Sequence, residues 1–196
     1  MREIEIRNYT PADEQDWVRC RVISFLDSAY FDDVHRSKEK FDNPAIELVA
    51  EIEGKIIGLL DLEYEKKIGE VGYKSDCLTG VIWHLAVLPE YRREGIASML
   101  LKKALDFIKF QNIELIQAWT RDDKFVLDWY NKSGFEKKES YYHVFAEADE
   151  CNAFGETEIP MLYTCNVYGQ YTGDDVEMIK GKFSRVHECS LLELRV

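Results

Sequence analysis

The stretch WHLAVLPEYRREGIASMLL, residues 83–101, constrains the fold more than any other part of the chain. It opens inside an apolar strand at 81–87, which Pro89 stops because proline cannot donate to a strand ladder. A basic loop with Arg92 and Arg93 follows. Gly95 then opens a helix to about residue 110, with Ile96, Leu100, Leu101, Leu105 and Ile108 at helical spacing. At Gly95 and Ala97, with little or no side chain, a ligand can approach the backbone closely. The first turn of a helix presents N–H groups without intrahelical partners and the positive end of the dipole, so this corner favours an anion such as a diphosphate. The plain alternative is a strand–loop–helix corner with solvated arginines. No Gly-Lys-Ser/Thr and no G-x-G-x-x-G is present, which excludes a Walker loop and a dinucleotide fingerprint.

The elements around this corner alternate. Ile4 and Ile6 against Glu3 and Glu5 predict a half-buried strand, and Thr10-Pro11 with Asp13 predicts a helix start. That helix runs to about Asp27, and a short second helix is expected near 32–40. Strands at 47–53 and 55–65 are joined by a tight turn at Glu53-Gly54. After an irregular stretch at 66–80 and the central corner come a strand at 113–119, a helix at 122–132 and a strand at 135–145. Beyond Ala146 the composition shifts. An acidic loop leads to a strand at 161–168, to a short helix capped by Asp174 or Asp175 with apolar Val176, Ile179, Phe183 and Val186, and to a strand over 192–196. The expected fold class is mixed α/β. A core over 1–146 is completed by a strand–helix–strand extension over 147–196, whose last strand is expected at an edge.

Charge narrows the function. The 196 residues carry 25 basic and 37 acidic side chains, a formal net charge of −12. A nucleic-acid binder needs a basic stripe to displace counterions, and docking on anionic lipid needs the same, so neither partner is expected. No apolar run is long enough to span a bilayer and the N-terminus lacks a signal-peptide core, so a cytoplasmic location is expected. The five cysteines and four histidines are dispersed without zinc-ligand spacing. The cysteines are read as reduced, mostly buried thiols, and no metal is expected.

Two motifs, in order, resemble the GNAT superfamily of acyl-CoA-dependent N-acyltransferases. Leu85-Ala86-Val87, Pro89 and Arg92-Arg93-Glu94-Gly95-Ile96-Ala97 match its strand and Q/R-x-x-G-x-G/A loop; Trp129-Tyr130-Asn131-Lys132-Ser133-Gly134-Phe135 matches its aromatic-Tyr-x-x-x-Gly-Phe segment. The resemblance covers residues 2–146. It implies a twisted mixed sheet flanked by helices. It further implies that the backbone of Arg92, Arg93, Glu94, Gly95, Ile96 and Ala97 holds the pyrophosphate of acetyl-CoA, while the main chain of Leu85, Ala86 and Val87 pairs with the pantetheine arm like an added strand. Tyr130 is implied as the acid that protonates the departing thiolate, the bland reading being a core tyrosine. An asparagine of many relatives that contacts the cosubstrate is replaced by Asp123, whose carboxylate can accept the same hydrogen bonds but not donate them, so the resemblance implies a cosubstrate contact there. A glutamate base of some relatives is replaced by Ala118.

The acceptor of the amine's proton is therefore open. Strict alternation puts Val81 and Trp83 on one face of their strand and Ile82 and His84 on the other. His84 has a suitable pKa near 6.5, but on that reading points away as a packed histidine. Trp83 reads as a wall of the acceptor pocket or as core. Asp61, Glu63 and Glu65 share one strand face; such a row is more often a solvated face, but Asp61 can attract a cationic acceptor and Glu63 can relay a proton. Glu47 is a weaker candidate. The expected function is transfer of acetyl from acetyl-CoA to a small-molecule or peptide amine, directly and in a ternary complex. The alternative is an acyl-CoA-binding sensor or scaffold without turnover. The tail, with Tyr163, Tyr168 and Tyr171, covers the acceptor side or forms a homodimer interface.

Overall fold

The structure is a computed structural model that describes residues 3–155 and 157–196. One eight-stranded sheet organises it, in the order β1-β2-β3-β4-β5-β8-β6-β7. Its strands are β1 (Glu5–Asn8), β2 (Ala45–Ile52), β3 (Lys55–Tyr64), β4 (Thr79–Val87), β5 (Leu115–Thr120), β6 (Glu136–Glu147), β7 (Asn166–Tyr171) and β8 (Arg185–Arg195). The helices are α1 (Glu14–Phe25), α2 (Ile96–Ile108), α3 (Lys124–Lys132) and α4 (Val176–Lys182). The β4–β5 pair is parallel, as the α2 crossover between them requires, and the other neighbours are antiparallel. No helix among the described residues is long and apolar enough to cross a membrane.

Local chemistry accounts for most boundaries. The Asp13 carboxylate accepts from the Thr10 N–H at 2.8 Å and takes both guanidinium nitrogens of Arg7, fixing the entry to α1. Glu53 and Gly54 both have positive φ, 50° and 80°, the conformation a two-residue hairpin of this twist demands. Asp175 caps α4 by accepting from the Met178 N–H at 3.0 Å. The main core lies between the sheet and its helices, with Trp17, Leu48, Leu59, Leu60, Leu62, Leu100 and Ile116 among its fully buried members. Each such side chain contributes about 1.5–3 kcal/mol on leaving water. A smaller cluster of Val144, Ala146, Cys151, Ile179 and Phe183 sits under the tail. Cys20, Cys77, Cys151 and Cys189 are buried free thiols; Cys165 is exposed and also free.

Three expectations need correction. No helix forms at 32–40; that segment runs in turns and extended chain, because its polar residues reach separate anchors. Asp33 takes the buried Arg21 at 2.9 Å, and the Lys38 ammonium reaches back to Glu47 and Asp61. The strand expected at 161–168 lies at Asn166–Tyr171 and is itself the sheet edge. The last strand is eleven residues long, includes Val186, and is interior, pairing with β5 over Leu115–Thr120 and with β6 over Glu136–Phe145. What looks like an appended edge thus closes the middle of the sheet.

Candidate active site

β4 and β5 pair from Thr79 with Leu115 to Ile82 with Ala118, and then part. On its other side β4 stays bonded to β3. The Leu88 N–H donates to the Ile57 carbonyl at 2.9 Å, and Ala86 stands opposite Leu59. Alternation along an antiparallel ladder then turns the polar groups of Ala86 toward β3 and those of Leu85 and Val87 toward the gap. Of the three predicted pairing residues, Leu85 turns both its backbone groups and Val87 its N–H to the gap, and Ala86 turns neither. The Val87 carbonyl accepts from Arg92 Nε at 3.2 Å, as its outward direction requires.

The loop after Pro89 arrives at the mouth of this gap. Arg93 and Gly95 have φ of 67° and 82°, and the Gly95 carbonyl begins α2 by accepting from the Met99 N–H at 3.0 Å. Backbone that alternates in this way turns successive N–H groups into one concavity suited to an anion. A Cβ built on Gly95 meets nothing within 4 Å, so the space before the helix is open. Arg92 is committed elsewhere. Its N–H donates to the Pro89 carbonyl at 3.3 Å, its guanidinium to the carbonyls of Val87 and Ser24, and it lies over the Phe125 ring. The loop's free donors begin after it.

α3 brings Tyr130 to the same region. Trp129 Nε1 donates to Ser98 Oγ at 3.2 Å, joining α3 to the start of α2. The turn after α3 explains the Gly-Phe pair: Gly134 has φ of 90°, and the Phe135 N–H returns to the Tyr130 carbonyl at 3.1 Å. Tyr130 is 6% exposed and edge-on to Trp129 and Phe135. Burial pushes its phenol well above the ordinary range, with no opposing hydrogen bond among the described residues. Asp123 is engaged: its carboxylate accepts the Ala29 N–H at 3.0 and 3.1 Å, pinning the 28–33 loop to the start of α3. That loop is held further by Arg121 and Arg185, which reach the Ala29 carbonyl and Asp32.

On the α1 face of the sheet, strict alternation fails. His84 stands opposite Asp61 and Ile82 opposite Leu62, so Trp83 is the extra residue of a β-bulge. The bulge turns Trp83 and His84 to one face, where alternation predicts opposite ones. Trp83 Nε1 donates to Glu63 Oε2 at 2.8 Å and His84 Nδ1 lies 3.2 Å from Asp61 Oδ2, while Asp61 and Glu63, two apart on β3, point the same way. Trp83 is 51% exposed; His84 is buried edge-on against Trp17.

The carboxylate row is not a solvated face. Asp61 is 0% exposed, between His84 and the Lys38 ammonium at 3.3 Å. Glu63 is buried, and its Oε1 accepts from the Asn43 N–H at 3.0 Å and side-chain amide at 3.1 Å. Glu65 accepts four backbone N–H groups, from Gly69, Val71, Gly72 and Thr79, and so organises the irregular 66–80 segment. Glu47 pairs with Lys38.

A parallel strand pair that parts, followed by an open glycine turn into a helix, is an arrangement suited to an extended anionic ligand, and α3 with its buried Tyr130 is joined to the start of that helix. Comparison with known proteins agrees. The model of the acetyltransferase (GNAT) family matches residues 3–135, more than half the chain. The chain belongs to this family. An uncharacterised N-acetyltransferase of Archaeoglobus fulgidus is 30% identical over 131 residues, covering 59% of this chain and 81% of that protein. Among solved structures, the GNAT-family acetyltransferase of Streptococcus pneumoniae aligns with a TM-score of 0.63 at 14% identity over 99% of each chain. The PaiA N-acetyltransferase of Thermoplasma acidophilum, in complex with coenzyme A, gives 0.56 at 19% identity over 69% of this chain and 91% of that one. At such identities the likeness speaks for the fold.

Within this GNAT acetyltransferase the predicted residues fall into two groups. Leu85, Val87 and the 93–97 turn follow one another at the end of β4, with Tyr130 on the helix that Trp129 and Ser98 join to the start of α2. Asp61, Glu63, Trp83 and His84 gather on the α1 face of β3 and β4. Sequence reasoning missed His35, Lys38, Glu39 and Asn43. They sit in a polar connector with no periodicity, and only the buried carboxylates opposite them give them a place.

Proposed function

We propose that the chain moves an acetyl group from acetyl-CoA to a primary amine directly, in a ternary complex with no covalent acyl-enzyme. The observation that carries this reading is the parting of β4 from β5 after Ile82, which leaves the backbone of Leu85 and the N–H of Val87 facing a gap in which no strand pairs with them. A pantetheine arm laid there takes the place of a missing strand. The N–H groups from Arg93 to Ala97 hold the diphosphate, and Arg92, committed to Val87 and Ser24, shapes the loop. An N–H on the open strand polarises the thioester carbonyl as the amine attacks.

When the C–S bond breaks, Tyr130 gives its proton to the thiolate. The buried phenol is neutral at physiological pH and so carries the proton at the start of each turnover. A thiol has a reference pKa of about 8.5, below that of a phenol already raised by burial. The proton therefore moves only after charge has built up on a sulfur held away from water, where the same desolvation raises the thiol's pKa as well. On the other side, Trp83 walls the acceptor pocket, Glu63 holds that indole in place, and His84, oriented by Asp61, takes the amine's proton. Glu63 thus positions a neighbour, with both its oxygens already engaged.

Thiol release from acetyl-CoA across a panel of primary amines (a polyamine, an amino sugar and a peptide N-terminus) tests this. Steady release that requires both acetyl-CoA and an amine is expected. A stoichiometric burst without amine contradicts direct transfer, and no release with any amine while acetyl-CoA still binds favours a binding module.

A further inference from the structure

We propose that His35, Glu39 and His84 form a binding site for a divalent metal ion of the zinc class. The ligand atoms converge: His35 Nδ1 lies 3.3 Å from Glu39 Oε1, His84 Nε2 lies 3.6 Å from Glu39 Oε2, and all three groups present atoms within 4.8 Å of one another. Bonds of about 2.0–2.1 Å at the tetrahedral angle place ligand atoms about 3.3–3.4 Å apart. Each imidazole is already near that spacing from one of the two Glu39 oxygens, and a small turn of the exposed carboxylate with a small movement of the His35 loop brings one oxygen and both nitrogens onto a common ion.

The second ring nitrogens are already provided for. His35 Nε2 is 3.2 Å from Asp33 Oδ1, and His84 Nδ1 is 3.2 Å from Asp61 Oδ2. A carboxylate behind each imidazole holds the proton on the far nitrogen and aims a lone pair at the common centre, the arrangement that supports metal-bound histidines. Charge favours a cation as well. Among the described residues, Asp33, Glu39, Glu47 and Asp61 pair, besides the two histidines, with Arg21 and Lys38, and each of these cations is already taken by members of the set. His84 is fixed on a strand against Trp17, whereas the Glu39 side chain is 43% exposed and opens the centre to solvent. Two histidines and one carboxylate with an open side suit an exchangeable ion better than a closed structural one.

The sequence hides this set because His84 lies far from His35 and Glu39 along the chain; the extended 32–40 segment laid over β4 brings them together. The inference does not rest on acetyl transfer. It adds one consequence: an ion on His84 Nε2 occupies the nitrogen assigned to the amine's proton, so zinc inhibits turnover. The deciding test is direct binding. Chelator-treated protein is titrated with Co²⁺, followed by its visible ligand-field bands, and the Co²⁺ is then displaced by Zn²⁺. One equivalent with tetrahedral-type bands is expected. His35→Ala and Glu39→Gln each weaken binding at least about tenfold, and Asp33→Asn weakens it about 10–100-fold. His35 and Glu39 lie in a surface segment, and unchanged thermal unfolding of their metal-free variants shows that they are folded. Asp33→Asn also loses the partner of the buried Arg21, so its unfolding midpoint falls while a cooperative transition shows that it still folds. No bands and no Zn²⁺ retained after dialysis overturns the proposal. So does binding of the same strength in both His35→Ala and Glu39→Gln.

Discussion

Tyr130→Phe is expected to lower kcat by about 10²–10⁴-fold, the span of a well-placed general acid, while leaving the Kd for acetyl-CoA within about twofold. The two effects separate because the phenol donates only as the C–S bond breaks, and an interaction made only in the transition state moves kcat without moving binding. Folding is little affected. The ring stays edge-on between Trp129 and Phe135, and the lost hydroxyl leaves no partner unsatisfied among the described residues. Steady-state kinetics with a saturating amine, beside calorimetric titration of acetyl-CoA, reads both quantities. A kcat within about threefold of wild type removes Tyr130 from the mechanism and returns it to the core.

The second large effect is on stability. The Lys38 side chain is 4% exposed, is paired with Glu47 and Asp61, and lies within 4.8–5.3 Å of the ring centroids of Tyr9, Trp17 and Phe41. Lys38→Met keeps the stem but leaves the fully buried Asp61 with His84 as its remaining ionisable partner. Removing one member of a buried pair costs about 3–5 kcal/mol, because the charge left behind keeps its desolvation penalty. Urea unfolding is expected to show a loss of that size. The double variant Lys38→Met, Asp61→Asn is expected to recover much of it, since both charges are then gone and residues in contact are not additive. A single-variant loss below about 1 kcal/mol, or no recovery in the double, would show that the pair is not coupled as described.

What the sequence revealed and what it hid follow from range. The 85–97 and 129–135 motifs are legible because the chemistry is local: a proline stop, a positive-φ glycine before a helix and a glycine closing another lie within a few residues of the groups they serve. The β2–β3 hairpin is legible for the same reason. The faces of Trp83 and His84 are not, because a bulge is set by pairing with β3 and adds one residue to a pattern that otherwise reads as clean alternation. The row of Asp61, Glu63 and Glu65 looks solvated until Lys38, Asn43 and the 66–80 turn arrive to satisfy it. β8 reads as an edge because nothing in Leu192 to Val196 says that β5 and β6 lie on either side. Asp123 resembles a ligand position in the motif, yet the fold spends its carboxylate on Ala29.

The most direct test of the cosubstrate cleft is thermal unfolding of the wild type and Gly95→Glu with and without acetyl-CoA. At about 100 times Kd the ligand stabilises by about 2.7 kcal/mol, a rise of about 5–10 °C for a chain of this length. Gly95 has φ of 82° with open space beyond it, so the variant folds with modest strain but sets a side chain and a negative charge at the turn proposed to hold the diphosphate. The account predicts the full rise in the wild type and little or none in Gly95→Glu. An unchanged Tm at millimolar acetyl-CoA, or the same rise in both proteins, would contradict it.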